Sequence, residues 1–209
     1  MSDETGPTTG RPERVEYDEF GLFHENAEEY GIPYEGPPTV RRETVAVNDA
    51  RKMSALVWGD STPELVLVHG GAQNAHTWDT VAMALARPLL AVDLPGHGPS
   101  GRPRSSSTDV ASNASDLAEV VRALAPEARA VVGMSLGGLS ALALVGVAPE
   151  LVRALVLVDI TPGVNREKAA HIMAFVDGPA TFDSFDDLLA RTVEFNPTRS
   201  LSSLRRGIL

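Results

Sequence analysis

The chain has no cysteine, no long apolar run and no excess of basic side chains in its 209 residues. Without cysteine there are no disulfides and no thiolate metal sites, which accords with the reducing cytoplasm where the protein is expected to reside. No stretch approaches the roughly 18 consecutive apolar residues of a membrane helix. The first residues, "MSDETGPTTG", lack the basic and apolar character of a cleaved leader. Neither membrane insertion nor secretion by a cleaved signal is therefore expected. A formal net charge of −10 argues against nucleic acid as a partner, because phosphate binding needs clustered Lys and Arg. No metal or other cofactor is expected, and the oligomeric state is left open.

What charge and aromatic content there is falls unevenly. Residues 1–40 hold ten acids against Arg11 and Arg14, so this stretch carries −8 of the −10 and the rest is nearly balanced. The body of the protein need not repel an anionic substrate. Residues 1–38 read as an acidic, mostly disordered extension, with 1–14 rich in Gly, Pro and Thr. All three tyrosines and two of the six phenylalanines lie in 15–38, a segment expected to lay its aromatics on the domain surface, with a lid or partner-binding role as the alternative.

From Thr39 the texture changes to short apolar strands. "ETVAVN" and "MSALVWG" flank "DARK" and read as two antiparallel strands around a turn. "ELVLVHG", "PLLAVDLPGHG", "RAVVGM" and "RALVLVDITPG" are continuous apolar runs, the mark of strands buried on both faces. Between them lie helical patterns. "HTWDTVAMALA" puts Trp78, Val81, Ala82 and Leu85 on one side, and an amphipathic run follows cap candidates Ser107, Thr108 and Asp109. "LGGLSALALVGVA" is a third helix. Alternating strands and helices mean a mostly parallel sheet covered by helices on both faces, an α/β fold. The expected core is 39–162. After Pro162, "VNREKAAHIMAFVDG" and "FDSFDDLLARTVEF" look helical and no further sheet strand follows.

The chemistry concentrates in "GMSLGG". Ligands of open parallel sheets bind beyond the carboxyl ends of the strands, and Ser135 stands just past such an end, on a strand-to-helix turn. A sharp turn there strains the serine backbone and is tolerable only where neighbours lack a Cβ, a need met by Gly133 and Gly137, while Gly138 lets the helix lie close to the sheet. The serine hydroxyl is thereby presented at a helix N-terminus, whose amides and partial positive charge suit a developing oxyanion. Two further loops agree. "HGGAQNAHTW" offers backbone donors facing the serine turn, Gly71 N–H first and Ala72 as the alternative, beside Leu136 N–H. His69 is expected to buttress this loop and His76 to be a surface helix residue. "DLPGHGPSGRP" gives a tight turn at the pocket rim, with His97 a structural hydrogen-bonder.

Together "HGG…HTW", "DLPGHGPS", "GMSLGG" and "LVLVDITPG", in this order and spacing, resemble the α/β-hydrolase superfamily over about residues 40–209, and within it the single-domain bacterial hydrolases with a helical cap inserted after the sixth strand. The resemblance implies a serine nucleophile at Ser135, oxyanion donors at Gly71 and Leu136, an acyl-enzyme mechanism and a small acyl substrate, ester-like or similar. It also implies the order Ser, acid, His. Asp159 is the best-placed carboxylate after Ser135, against a structural role in the "DITPG" turn. The one histidine downstream, His171, falls where the cap begins and is poorly placed as a base. The chain is thus expected to end inside a partial cap spanning 163–209, with the last strands of the fold missing. Impaired activity, an uncovered sheet edge and poor solubility would follow. The alternative is a noncatalytic ligand-binding or interaction protein on the same fold.

Overall fold

A computed structural model describes residues 17–104, 109–160, 174, 178–179 and 181–208. Six strands form one sheet in the spatial order β1-β2-β4-β3-β5-β6. Strands β1 (Val40–Val47) and β2 (Arg51–Trp58) make the expected antiparallel hairpin, in register from Val40 opposite Trp58 to Val47 opposite Arg51. Strand β2 continues antiparallel to β4 (Leu89–Val92), whereas β3 (Leu65–Val68), β4, β5 (Ala130–Met134) and β6 (Leu155–Val158) run parallel.

Side chains alternate across a strand, and here the alternation separates two cores. Ala55, Val57, Val66, Val68, Leu90 and Val92 face helices α3 (Val110–Leu124) and α4 (Leu136–Val147). Leu56, Trp58, Leu67, Leu89 and Ala91 face the other way, toward Phe23 of helix α1 (Phe23–Tyr30) and Ala82 of α2 (Asp79–Leu85). Both faces of the central strands are therefore apolar, the reason each reads as an unbroken hydrophobic run. Asp109 caps α3, its Oδ1 accepting from Ala111 N and Ser112 N at 3.2 Å each. Ser107 and Thr108 lie outside the described residues. Among the described residues β1 and β6 are the two edges of the sheet, and on β6 Val156 and Leu157 are 47% and 36% exposed.

Two expectations are corrected. Of the stretch read as a mostly disordered extension, residues 17–38 are built into the structure. Phe23 is 2% exposed and its ring meets Trp58 edge-on at 5.2 Å, while all three tyrosines stay exposed. The second concerns the helical face of "HTWDTVAMALA". Trp78 and Ala82 are buried, but Val81 and Leu85 are exposed. Residues 75–78 form a 3₁₀ turn and the α-helix begins only at Asp79. A 3.6-residue period started from Trp78 therefore runs out of phase. Beyond the sheet, helices α5 (Phe185–Phe195) and α6 (Leu201–Ile208) pack together. His171 lies outside the described residues.

Candidate active site

A cavity of about 580 Å³ opens at the carboxyl ends of β3, β5 and β6, and Ser135 and Asp159 both line it. The backbone at Ser135 has φ 49° and ψ −116°, a strained conformation for a residue with a Cβ, between the last residue of β5 and the first of α4. The glycines around it are there for contact. A Cβ on Gly133 would come within 2.5 Å of Gly137 O and 2.7 Å of Gly138 Cα. One on Gly137 would collide with the carbonyls of Val68 and His69 on the neighbouring strand. Helix α4 therefore packs directly on the strand ends, with Ser135 at its N-terminus on the cavity wall.

The loop after β3 packs beside this turn. A Cβ on Gly70 would stand 3.4 Å from Ser135 Cβ, and one on Gly71 3.9 Å from Leu136 Cδ2. Gln73 Oε1 accepts from Gly70 N at 2.9 Å and holds the loop's shape. The Ala72 amide donates to His97 Nε2 at 3.2 Å and is engaged there. Asp159 follows β6, whose Val158 is the register partner of Met134, so it stands one strand across from Ser135. It is exposed, with φ 53°.

The histidines are structural to different degrees. His69 is fully buried; its Nδ1 donates to Gly70 O at 2.7 Å and its Nε2 accepts from Leu94 N at 3.0 Å. That pattern fixes a neutral ring, and burial pushes its pKa down to about 3. It ties the β3 loop to the β4 loop. His97 packs edge-on against it, ring centres 5.1 Å apart, with its own Nδ1 on Pro95 O at 3.1 Å.

His76, expected at the surface, is instead largely buried. Its Nδ1 meets Asp79 Oδ2 at 2.7 Å and its Nε2 meets Glu19 Oε1 at 3.2 Å. A carboxylate at each nitrogen favours the doubly protonated, charged ring, while the Arg42 guanidinium, with Nη2 3.4 Å from Nε2, disfavours it. Burial opposes this charge, and the hydrogen bonds to Asp79 and Glu19 outweigh it and raise the pKa. Glu19 also accepts from Arg42 Nε at 2.5 Å, and Arg42 Nη1 donates to the fully buried Asp93 at 2.6 Å. Asp93 Oδ1 in turn accepts from Ala75 N at 2.7 Å. A polar network thus runs from the N-terminal segment through β1 to the ends of β4 and α2. His76 and Asp79 line the same cavity as Ser135, and so do Asn26 and Tyr30 of α1 and Leu204 and Arg206 of α6. None of these was found by sequence pattern; the one signal was the aromatic density of residues 15–38.

Among the described residues no group of three or more His, Cys, Asp or Glu side chains forms a metal cluster, and no helix is long and apolar enough to cross a membrane. The family model described as the alpha/beta hydrolase fold matches residues 63–207. The esterase Rv0045c of Mycobacterium tuberculosis is 46% identical over 198 residues, which are 91% of this chain and 64% of that protein. Its crystal structure aligns with a TM-score of 0.75 at 45% identity, covering 94% of this chain and 66% of that one. A pimeloyl-(acyl-carrier protein) methyl ester esterase of Nitrosomonas europaea is 42% identical over 103 residues, 48% of this chain and 38% of that protein. This chain therefore spans less than two thirds of the length of these curated relatives. With the sheet order, the Ser135 turn and the family match in agreement, the chain belongs to the α/β-hydrolase fold family.

Proposed function

We propose that the protein is a cytoplasmic serine hydrolase by descent, acting on a small ester-like acyl substrate through an acyl-enzyme on Ser135. The observation that carries this reading is the strained Ser135 backbone, with φ 49° at a helix N-terminus inside a cavity. Strain of this kind costs about 1–3 kcal/mol, persists only where the surrounding structure enforces it, and clusters at active sites. Ser135 Oγ attacks the substrate carbonyl carbon and the carbonyl oxygen becomes an oxyanion. Gly71 and Leu136 amides receive that charge, aided by the dipole of α4. The C–O bond to the alcohol then breaks, the alcohol leaves with a proton, and water hydrolyses the acyl-serine. Asp159 is the carboxylate assigned to the acid of this machinery.

The attack also needs a base for the Oγ proton. Among the described residues, both ring nitrogens of His69, His76 and His97 are engaged elsewhere, and His24 does not line the cavity. This supports a chain whose turnover is impaired at the proton-transfer step, retaining a fraction of the rate from oxyanion stabilisation and binding. A fluorophosphonate probe on the 209-residue chain tests the reading: slow covalent labelling is expected, abolished by Ser135→Ala. Labelling that does not depend on Ser135, or none at all, would sink it. The engaged histidines equally favour a second reading, a noncatalytic ligand-binding protein. That reading expects small-molecule binding that Ser135→Ala leaves unchanged, with no labelling.

A further inference from the structure

Helix α1 carries Glu25 and Glu29 four residues apart, which places both carboxylates on one face. Both meet α6. Arg205 Nη2 donates to the two oxygens of Glu25 at 2.7 and 2.9 Å, and Arg206 Nη1 reaches Glu25 Oε2 at 3.3 Å. The other end of the Arg206 guanidinium pairs with Glu29, so one side chain, 7% exposed, spans both carboxylates. Ser200 Oγ donates to Glu29 and Ser202 Oγ to Glu25 at 3.3 Å. The helix dipoles agree with this pairing, since Glu25 is in the first turn of α1 and both arginines are in the last turn of α6.

Helix α1 is itself fixed to the core. Phe23 is buried against Trp58, and Thr80 Oγ1 of α2 donates to Asn26 Oδ1 at 3.2 Å. Helix α6 packs against α5 and supplies Leu204 and Arg206 to the wall of the Ser135 cavity. We propose that α1 is a clamp built into the site. Glu25 and Glu29 are positioning residues that hold α6 as a wall of the cavity, so the N-terminal segment determines what ligand the cavity admits. The acidity of residues 17–30 is then complementary to a basic helix end.

Hydrogen exchange of residues 201–208 in the 209-residue chain tests this without reliance on catalysis. Glu25→Gln with Glu29→Gln should raise exchange there about tenfold or more, with β3 and β5 unchanged. Arg205→Glu with Arg206→Glu should do the same. Combining that pair with Glu25→Arg and Glu29→Arg restores opposite charges and should return protection toward the wild-type level. The clamp is refuted if residues 201–208 exchange at the wild-type rate in the Gln pair. It is equally refuted if the fully reversed chain exchanges as fast as either half. Should the Gln pair unfold globally, the fully reversed chain alone decides, by its protection or lack of it. Because the ligand class rests on the hydrolase reading, short- and long-chain fluorophosphonates are compared in parallel. A changed ratio of labelling rates ties the clamp to the cavity. Absence of labelling in the wild type together with the expected exchange pattern would refute the hydrolase reading and leave the clamp standing.

Discussion

Replacing Gly133 by alanine asks how much of the serine turn is a matter of contact. An added Cβ would lie 2.5 Å from Gly137 O, 2.7 Å from Gly137 C and 2.7 Å from Gly138 Cα. Comfortable separation is about 3.5 Å, so the first turn of α4 would have to lift from β5 by about 1 Å. All three atoms are backbone, and no rotamer change relieves the clash. Overpacking of a tight interior costs about 1–3 kcal/mol, and the rigid setting puts this site at the upper end. Against a total stability of about 5–15 kcal/mol the loss is large. With a urea slope of about 1–3 kcal/mol/M, the unfolding midpoint should fall by about 1 M or more. Gly146 is the control. It lies exposed in the same helix and a Cβ there would meet nothing within 4 Å. Gly146→Ala should therefore stabilise by about 0.5–1 kcal/mol through helix propensity alone, raising the midpoint by a few tenths of a molar. Urea titrations followed by circular dichroism read both. A Gly133→Ala midpoint equal to wild type would refute the contact argument, and so would equal shifts for the two variants.

Ser135→Gly removes the Cβ from a residue at φ 49°, and should raise the urea midpoint by relief of about 1–2 kcal/mol while abolishing fluorophosphonate labelling; a lowered midpoint would argue that the backbone there is unstrained. His69 has its pKa pushed down to about 3 by burial, so the unfolded chain binds the proton first as pH falls. Stability should therefore drop between about pH 6.5 and 3, by about 1.4 kcal/mol per pH unit at most, and His69→Gln should flatten that slope in urea titrations at stepped pH. His76 works with the opposite sign: its raised pKa contributes stability below about pH 6.5 that is lost as pH rises through the folded value. Comparing midpoints at pH 6 and pH 9 in wild type and His76→Gln checks this, and an unchanged difference would remove His76 from the account. Glu25 and Glu29 are held below the usual glutamate range, Glu25 by its arginine partners against a desolvation penalty and Glu29 by Ser200 and Arg206. Docking of α6 on α1 should persist at neutral pH and loosen as pH falls through those lowered values, seen as faster exchange of residues 201–208 while the core stays protected.

What could be read from the sequence was set by neighbours along the chain. Gly133, Ser135, Gly137 and Gly138 lie within six residues, and the sheet alternation that sorts Val66 and Val68 from Leu67 repeats every second residue. Backbone geometry dictates such features locally, and the six strands and the serine turn were legible for that reason. His76 was not. Its burial depends on Glu19, 57 residues earlier, and on Arg42, whose other partner Asp93 is 51 residues further on. No periodicity encodes a pairing of that range. The phase error at Val81 and Leu85 has a more local cause, one 3₁₀ turn that resets the helical period at Asp79.

The same distinction bears on how substitutions in the first thirty residues should be read. By composition the segment is an acidic appendage, and a change there would be filed as a surface change worth a few tenths of a kcal/mol. Yet Glu19 closes the network around His76, Asn26 and Tyr30 line the cavity, and Glu25 meets arginines about 180 residues away. Exposed ion pairs are each worth little, typically about 0.2–1 kcal/mol. Arg206 differs in being largely desolvated between two carboxylates, so removing one of them leaves a buried cation partly unpaired, and that is the costly case. A neutral residue at Glu28, on the same helix but outside these pairs, should leave α6 protection unchanged, whereas one at Glu29 should not. The cavity around Ser135 is thus assembled by contacts between the two ends of the described chain, and its shape is as much a property of α1 as of the serine turn.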